Sequence, residues 1–315
     1  MIASIVRGIG NFFFLRVMGR WVAGAKAEDA VRYCTGLNSK GSACVINFLG
    51  EHYLERTLAE AAVREYAMLT DRIAEKKARA SITIKPSQFG FDAKDVPYNG
   101  AFCEKKMLEA VRYAASKGVA VWLDMEDSRH TDFTLAFYKK HSGRYRMGVC
   151  IQANLKRSGR DLLSLIVLSQ EAPVMVRLVK GIYAEGEEIA HTGPQKIHGA
   201  FLALIREAFE KSPPDFGIAV GTHHSEAISL ALAMQKKFPK KFFEIEVLKG
   251  VLPAYYEELR GNGVPVTEYV PYGPDAFAYS VRRAWKNPRF ARSVLLSLFF
   301  DAYKKLYGGL SSDAR

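Results

Sequence analysis

Arg282 and Arg283 stand side by side in a helix-period segment that begins after Gly273 and ends before Asn287-Pro288. Two guanidiniums set roughly 100° apart on one helical turn can grip a carboxylate or phosphate between them. A pair of solvated arginines on a surface helix is the blander reading. What separates the two is whether the upstream residues build an anion site. Lys85 follows the apolar SITI and precedes Pro86, which otherwise describes a solvated loop lysine. Asp124 closes the run VAVWLD and needs a partner if buried there, either in a structural ion pair or in catalysis. Arg177 interrupts PVMVRLV, a costly place for an unpaired charge, and so implies a bound anion or an inward carboxylate. Gln152 and Asn154 can serve a ligand or merely satisfy backbone groups. His223 and His224 are neighbours on a strand end and point to opposite faces, so one at most enters a site. Barrel metal centres need carboxylates with spaced histidines, and no metal is expected.

These residues gain a common location from the elements that carry them. Strand-like runs occur at 42–48, 81–84, 119–125, 146–151, 173–179, 217–221, 242–247 and 264–270. Helix-period segments lie between them at 52–79, 100–117, 129–141, 158–170, 195–211, 225–237, 252–260 and 274–286. Strands alternating with helices imply parallel pairing, and eight such units match a (β/α)8 barrel. A doubly wound sheet is the competitor, weakened by the lack of a GxGxxG after the first strand. In a barrel the functional groups sit where strands exit toward their helices. Those exits fall at Glu51, Lys85, Asp124 to Asp127, Gln152 to Asn154, Arg177 with Lys180, Thr222 to His224, weakly Lys249, and Tyr269. Cations, a few acids, amides and a tyrosine suit an anionic, electron-accepting cofactor beside a small carboxylate substrate. They suit hydrolysis poorly, since no elbow serine or metal cluster is present. A lysine Schiff-base aldolase barrel using Lys85 or Lys180 is the alternative enzyme, and a basic membrane-binding module is the non-enzymatic one.

The chain has 315 residues, 49% hydrophobic and 25% charged, with a net charge of +12 and four widely spaced cysteines. The charge favours an anionic partner, but scattered basic residues without a zinc-finger or RNA-binding signature argue against nucleic acid. Cysteines without CxxC or a dense framework fit a reducing compartment, with Cys44 and Cys150 as small buried hydrophobes. Residues 2–25 mix apolar side chains with Arg7, Arg16 and Arg20. The arginines prevent this segment from spanning a bilayer. It reads best as a docked or membrane-surface helix; a transit peptide, or a secretory signal ending at Ala23-Gly24-Ala25, is the other reading. The expected organisation is an N-terminal helical arm over 1–40 and a barrel over 41–315, with a further amphipathic helix at 288–306 and a loose tail.

The strand-end motifs resemble the proline dehydrogenase family. FLGE at 48–51, SITIKPSQFG at 81–90, WLDMED at 122–127 and VCIQANLKRS at 149–158 carry the likeness. VRLVKGIY at 176–183, VGTHH at 220–224 and the stretch from YVPYG to AYSVRRAWKN over 269–287 complete it. The resemblance implies a distorted (β/α)8 TIM-type barrel that binds FAD non-covalently and oxidises L-proline to Δ1-pyrroline-5-carboxylate. Electrons would pass to a quinone, with the protein peripheral on the inner face of the cytoplasmic membrane. By the same resemblance Lys85, Arg282 and Arg283 surround the substrate carboxylate, and Tyr269 packs on the proline ring. Asp124 holds the tyrosine and nearby cations, Arg177 stands beside flavin N5, and Glu51 pairs with Arg282 as a gate. Met125, Gln152, Lys180, Gly181, Ile182, Thr222 and His223 correspond to cofactor contacts. Lys286, Ala184 and His224 depart from the family pattern; Lys286 stands where many members carry a glutamate, one turn after the arginines. No aldehyde-dehydrogenase or DNA-binding segment accompanies the barrel, which implies a monofunctional enzyme.

Overall fold

The structure, a computed structural model, describes residues 19–96 and 99–274. Arg282, Arg283, Lys286 and the segments expected to be helical after residue 274 lie outside the described residues, as does most of 2–25. Eight parallel strands close into one barrel in sequence order, with β8 beside β1. They are β1 (Ala43–Phe48), β2 (Ala80–Ile84), β3 (Val121–Leu123), β4 (Met147–Gln152), β5 (Met175–Val179), β6 (Gly217–Gly221), β7 (Phe243–Leu248) and β8 (Val266–Tyr272). The described helices are α1 (Ala27–Asn38), α2 (Arg56–Glu75), α3 (Asn99–Ser116), α4 (Ser128–His141), α5 (Ser158–Leu168), α6 (Pro194–Lys211), α7 (Ser225–Lys237) and α8 (Pro253–Gly261). Every strand run and the first seven helical segments read from the sequence are present.

Strand alternation divides the wall into two cores. Ile46, Ile82, Val149, Leu178, Val220 and Ile245 point outward and pack under the helices. Val45, Trp122 and Ala219 point inward, with Met175, Phe242 and Tyr269 against them. The indole of Trp122 fits because its register neighbour on β4 is Gly148, where a Cβ would collide with the six-membered ring. The other inward positions are polar, with Asn47, Thr83, Arg177, Glu244, Glu246 and Thr267.

α1 packs against β1, β8 and α2. In a regular barrel that groove receives the helix after the last strand. Small residues (Ala27, Ala30, Cys34) let α1 lie close to the wall, and Tyr33 donates a hydrogen bond to Glu268 on β8 at 2.8 Å. The chain before α1 is also docked: Trp21 and Val22 are buried, and the Ala23 N–H donates to the Pro271 carbonyl at 2.8 Å. Lys249, at the exit of β7, donates to the carbonyls of Gly19 and Arg20. All four cysteines are buried and unpaired. No described helix is long and apolar enough to cross a membrane.

Candidate active site

Asp124 leaves β3 with its N–H tied to the Ile84 carbonyl at 2.9 Å. Its carboxylate accepts from Arg177 Nη1 at 2.8 Å and from the Tyr269 hydroxyl at 2.6 Å. Three strands distant in sequence thus meet on one side chain, which is 17% exposed and open to the barrel mouth. Arg177 is buried, with its guanidinium 4.5 Å from the Trp122 ring centroid and 5.6 Å from that of Tyr269. Burial opposes its charge, but Glu246 and Asp124 outweigh that and keep it cationic. Its Nε lies 2.6 Å from Glu246 Oε2, yet the N–H is not aimed at the oxygen. Both Nε and Nη2 lack a hydrogen bond among the described residues.

Glu244 and Glu246 occupy inward positions two residues apart on β7. Burial, reinforced by the charge of Glu246, pushes the Glu244 carboxyl up to about 8, and Glu246 is also raised by burial. Each of the two acids thus raises the cost of ionising the other. Thr267 donates to Glu244 at 2.6 Å. Sequence reasoning passed over this pair, although FEIEV places two acids on one strand face and Arg177 demanded an inward carboxylate.

Lys85 is not a solvated loop residue. Its side chain is 7% exposed, with Nζ 3.6 Å from Glu51. Pro86 starts a 3-10 turn over Pro86–Phe89 directly after it, fixing the direction of the chain. Ser87 then anchors to the buried Glu126 through its N–H at 2.9 Å and through its hydroxyl. Glu51 thus meets Lys85, while its expected partner Arg282 lies outside the described residues.

The expected cofactor residues sit on the β3 to β6 exits, and their side chains are unequally free. Met125 is buried, Lys180 and Gly181 are half-buried, and Ile182 is 75% exposed at the rim. Gly181 adopts φ 93, and a Cβ there would run into the Asn154 amide. Burial lowers the Lys180 pKa. Gln152 donates to the Glu126 carbonyl at 2.7 Å, the backbone-satisfying role. Thr222 accepts the His224 N–H at 3.1 Å. His223 turns its Nδ1 to the Tyr256 hydroxyl at 2.5 Å and accepts the Leu248 N–H on Nε2 at 3.3 Å. Tyr183, which had drawn no role, is half-buried, and burial together with Glu51, Glu126, Asp124 and Asp127 drives its pKa up. The donor set fits a flavin: a buried Arg177 whose Nε and Nη2 make no hydrogen bond among the described residues, a half-buried Lys180 and an exposed apolar rim at Ile182.

Comparison with known proteins agrees with this architecture. A family model described as proline dehydrogenase matches residues 30–293. Proline dehydrogenase 1 of Bacillus subtilis is 30% identical over 279 residues, covering 88% of each chain. The proline dehydrogenase of Deinococcus radiodurans is 25% identical over 281 residues, with the same coverage. Among solved structures, proline utilization A from Bdellovibrio bacteriovorus, inactivated by N-propargylglycine, superposes with a TM-score of 0.79 at 21% identity. That match covers 87% of this chain but 33% of the other, so the chain spans about a third of that protein and shares its barrel fold. The Schiff-base barrel reading is thereby replaced. The chain belongs to the proline dehydrogenase family, flavin oxidoreductases that act on the CH–NH group of proline in its catabolism.

Proposed function

We propose that this chain binds FAD non-covalently and oxidises L-proline to Δ1-pyrroline-5-carboxylate at the mouth of the barrel. The observation that carries the reading is the meeting of Arg177, Asp124 and Tyr269 above the Trp122 plug, beside the buried Lys85. When bound, FAD supplies a two-electron acceptor at N5 for the hydride that leaves proline C5. Lys85, with Arg282 and Arg283, neutralises the substrate carboxylate and fixes the ring, and orientation of this kind supplies much of the rate gain. Asp124 holds the Tyr269 phenol and one edge of Arg177, so both keep a single orientation at the site. The phenol stands against the ring and leaves no room for a ring hydroxyl. Arg177 directs its unsatisfied N–H groups toward charge that accumulates on the acceptor. Lys180, Gly181, Ile182, Met125 and Thr222 form the cofactor rim. Gln152 and His223 already hold protein partners and would contribute their remaining surfaces.

Anaerobic titration of the FAD-loaded protein tests this directly. L-Proline should bleach the flavin absorbance, and trans-4-hydroxy-L-proline should bleach it far less. An FAD-loaded protein that proline leaves yellow would sink the reading. We further propose a membrane quinone as the electron acceptor, with the basic N-terminal segment resting on the inner face of the cytoplasmic membrane. Proline-reduced protein should be reoxidised by a quinone held in anionic vesicles, more slowly after Arg7→Glu and Arg16→Glu. Equal rates in both proteins would remove the membrane role, and reoxidation by soluble dyes alone would remove the quinone.

A further inference from the structure

Three side chains that the reaction does not use converge at one corner of the mouth. His52 follows β1, Asp92 follows the turn after β2, and His130 lies in the first turn of α4. Asp92 Oδ2 is 2.8 Å from His52 Nδ1 and 3.4 Å from His130 Nε2. All three ligand atoms fall within 4.8 Å of one another. His130 is fully buried, and its Nδ1 lies 2.8 Å from Asp127 Oδ1. The Asp127 carboxylate accepts the Nδ1 proton, so Nε2 is the ring nitrogen turned toward the Asp92 carboxylate. Nε2 makes no hydrogen bond among the described residues. With Nε2 unprotonated, a metal ion between it and the Asp92 carboxylate would satisfy both groups.

We propose that His52 Nδ1, Asp92 Oδ2 and His130 Nε2 bind a divalent transition-metal ion of the zinc type. Two imidazoles and one carboxylate suit Zn²⁺, Co²⁺ or Ni²⁺, whereas Mg²⁺ and Ca²⁺ prefer oxygen shells. Tetrahedral bonds of about 2.1 Å separate ligand atoms by roughly 3.4 Å. The Asp92–His130 separation already matches, and the closer His52 contact needs only a small side-chain opening. Asp127 holds the buried imidazole from behind, as the second carboxylate in a carboxylate–histidine–metal arrangement does. It is itself fixed by accepting the Arg129 N–H at 3.1 Å. His52 is 43% exposed, so the ion reaches the site from solvent and retains water on its open side. The bound ion would staple the exits of β1, β2 and β3 together, next to Glu51. The sequence expectation of no metal considered only the neighbouring His223 and His224, which face opposite sides of their strand, whereas these ligands come from two loops and the start of a helix.

The test uses the full FAD-loaded chain, freed of metal with a chelator. ZnCl₂ is titrated by calorimetry, and CoCl₂ by the visible bands that imidazole ligation produces. One equivalent should bind and raise the Tm. His52→Ala and Asp92→Asn, both at positions with solvent access, should fold normally by circular dichroism and weaken binding roughly tenfold or more. His198→Ala, in the separate His198, His224 and Glu226 cluster, should leave it unchanged. No saturable binding to the wild type, or binding undiminished in His52→Ala and Asp92→Asn, overturns the assignment.

Discussion

A guanidinium buried inside a parallel barrel forfeits several kcal/mol of hydration. Around Arg177 that cost is offset by Asp124, by the close Glu246 carboxylate and by the Trp122 face. Arg177→Met would leave two inward acids without their cation. A loss of about 3–5 kcal/mol in unfolding free energy is expected by urea denaturation. Adding Glu246→Gln should return part of that loss, because it removes the surplus carboxylate. A double variant no more stable than Arg177→Met would show that Glu246 is not the counter-ion. Tyr269→Phe deletes a 2.6 Å hydrogen bond to Asp124 at little cost in shape. A hydrogen bond to a charged partner contributes about 1.5–3 kcal/mol, so kcat/KM for proline should fall roughly tenfold or more, with flavin retention unchanged. Unaltered proline kinetics would separate the phenol from the reaction.

At the level of strands and helices, the barrel interior depends on what its small residues permit. Gly148 gives the indole of Trp122 its room, and that indole carries the floor on which Arg177 lies. Gly148→Ala should therefore cost about 1–3 kcal/mol, with a red-shifted tryptophan emission if the ring is displaced. Unchanged stability and emission would mean that the plug is loose. The strands were legible in the sequence because outward Val, Ile and Leu make near-continuous apolar runs on a wall covered by helices. The helices α2 to α8 were legible from their period. α1 was not resolved from the rest of the N-terminal arm, since its buried face is largely alanine and cysteine and gives a weak pattern. The meeting of candidate residues was legible where a charge interrupted an apolar run, as at Asp124 and Arg177. It was illegible where the environment comes from elsewhere in the chain. Nothing near Lys85 in sequence shows that Glu51 and the Ser87–Glu126 anchor enclose it, and His52, Asp92 and His130 meet only through the closure of the barrel.

Across the whole molecule, buried ionisable groups give stability a pH profile with three slopes. Asp127 titrates at about 2 when folded, below its ordinary 3.8. The unfolded chain binds more protons between those values, so stability rises with pH there. Glu244 shows the opposite sign. Its folded pKa of about 8 lies above the ordinary 4.5, so across that window the folded chain holds the extra proton. That contribution is complete below 4.5 and is lost as pH rises through 8. Lys249 is pushed down to about 8 from 10.5 by burial. The unfolded chain then binds the extra proton between those values, and stability recovers as pH climbs through them. Urea midpoints collected from acid pH to about 8.5, below the range in which the unfolded chain's thiols and phenols ionise, should therefore rise, fall and begin to rise again. Glu244→Gln should flatten the middle limb, because a neutral amide accepts from Thr267 without carrying a proton in either state. Lys249→Met should flatten the alkaline limb, although it also releases the Gly19 and Arg20 carbonyls and so lowers stability at every pH. A middle limb of the same slope in Glu244→Gln would assign the titration to another group and leave the paired acids of β7 without a role in the acid–base balance of the barrel.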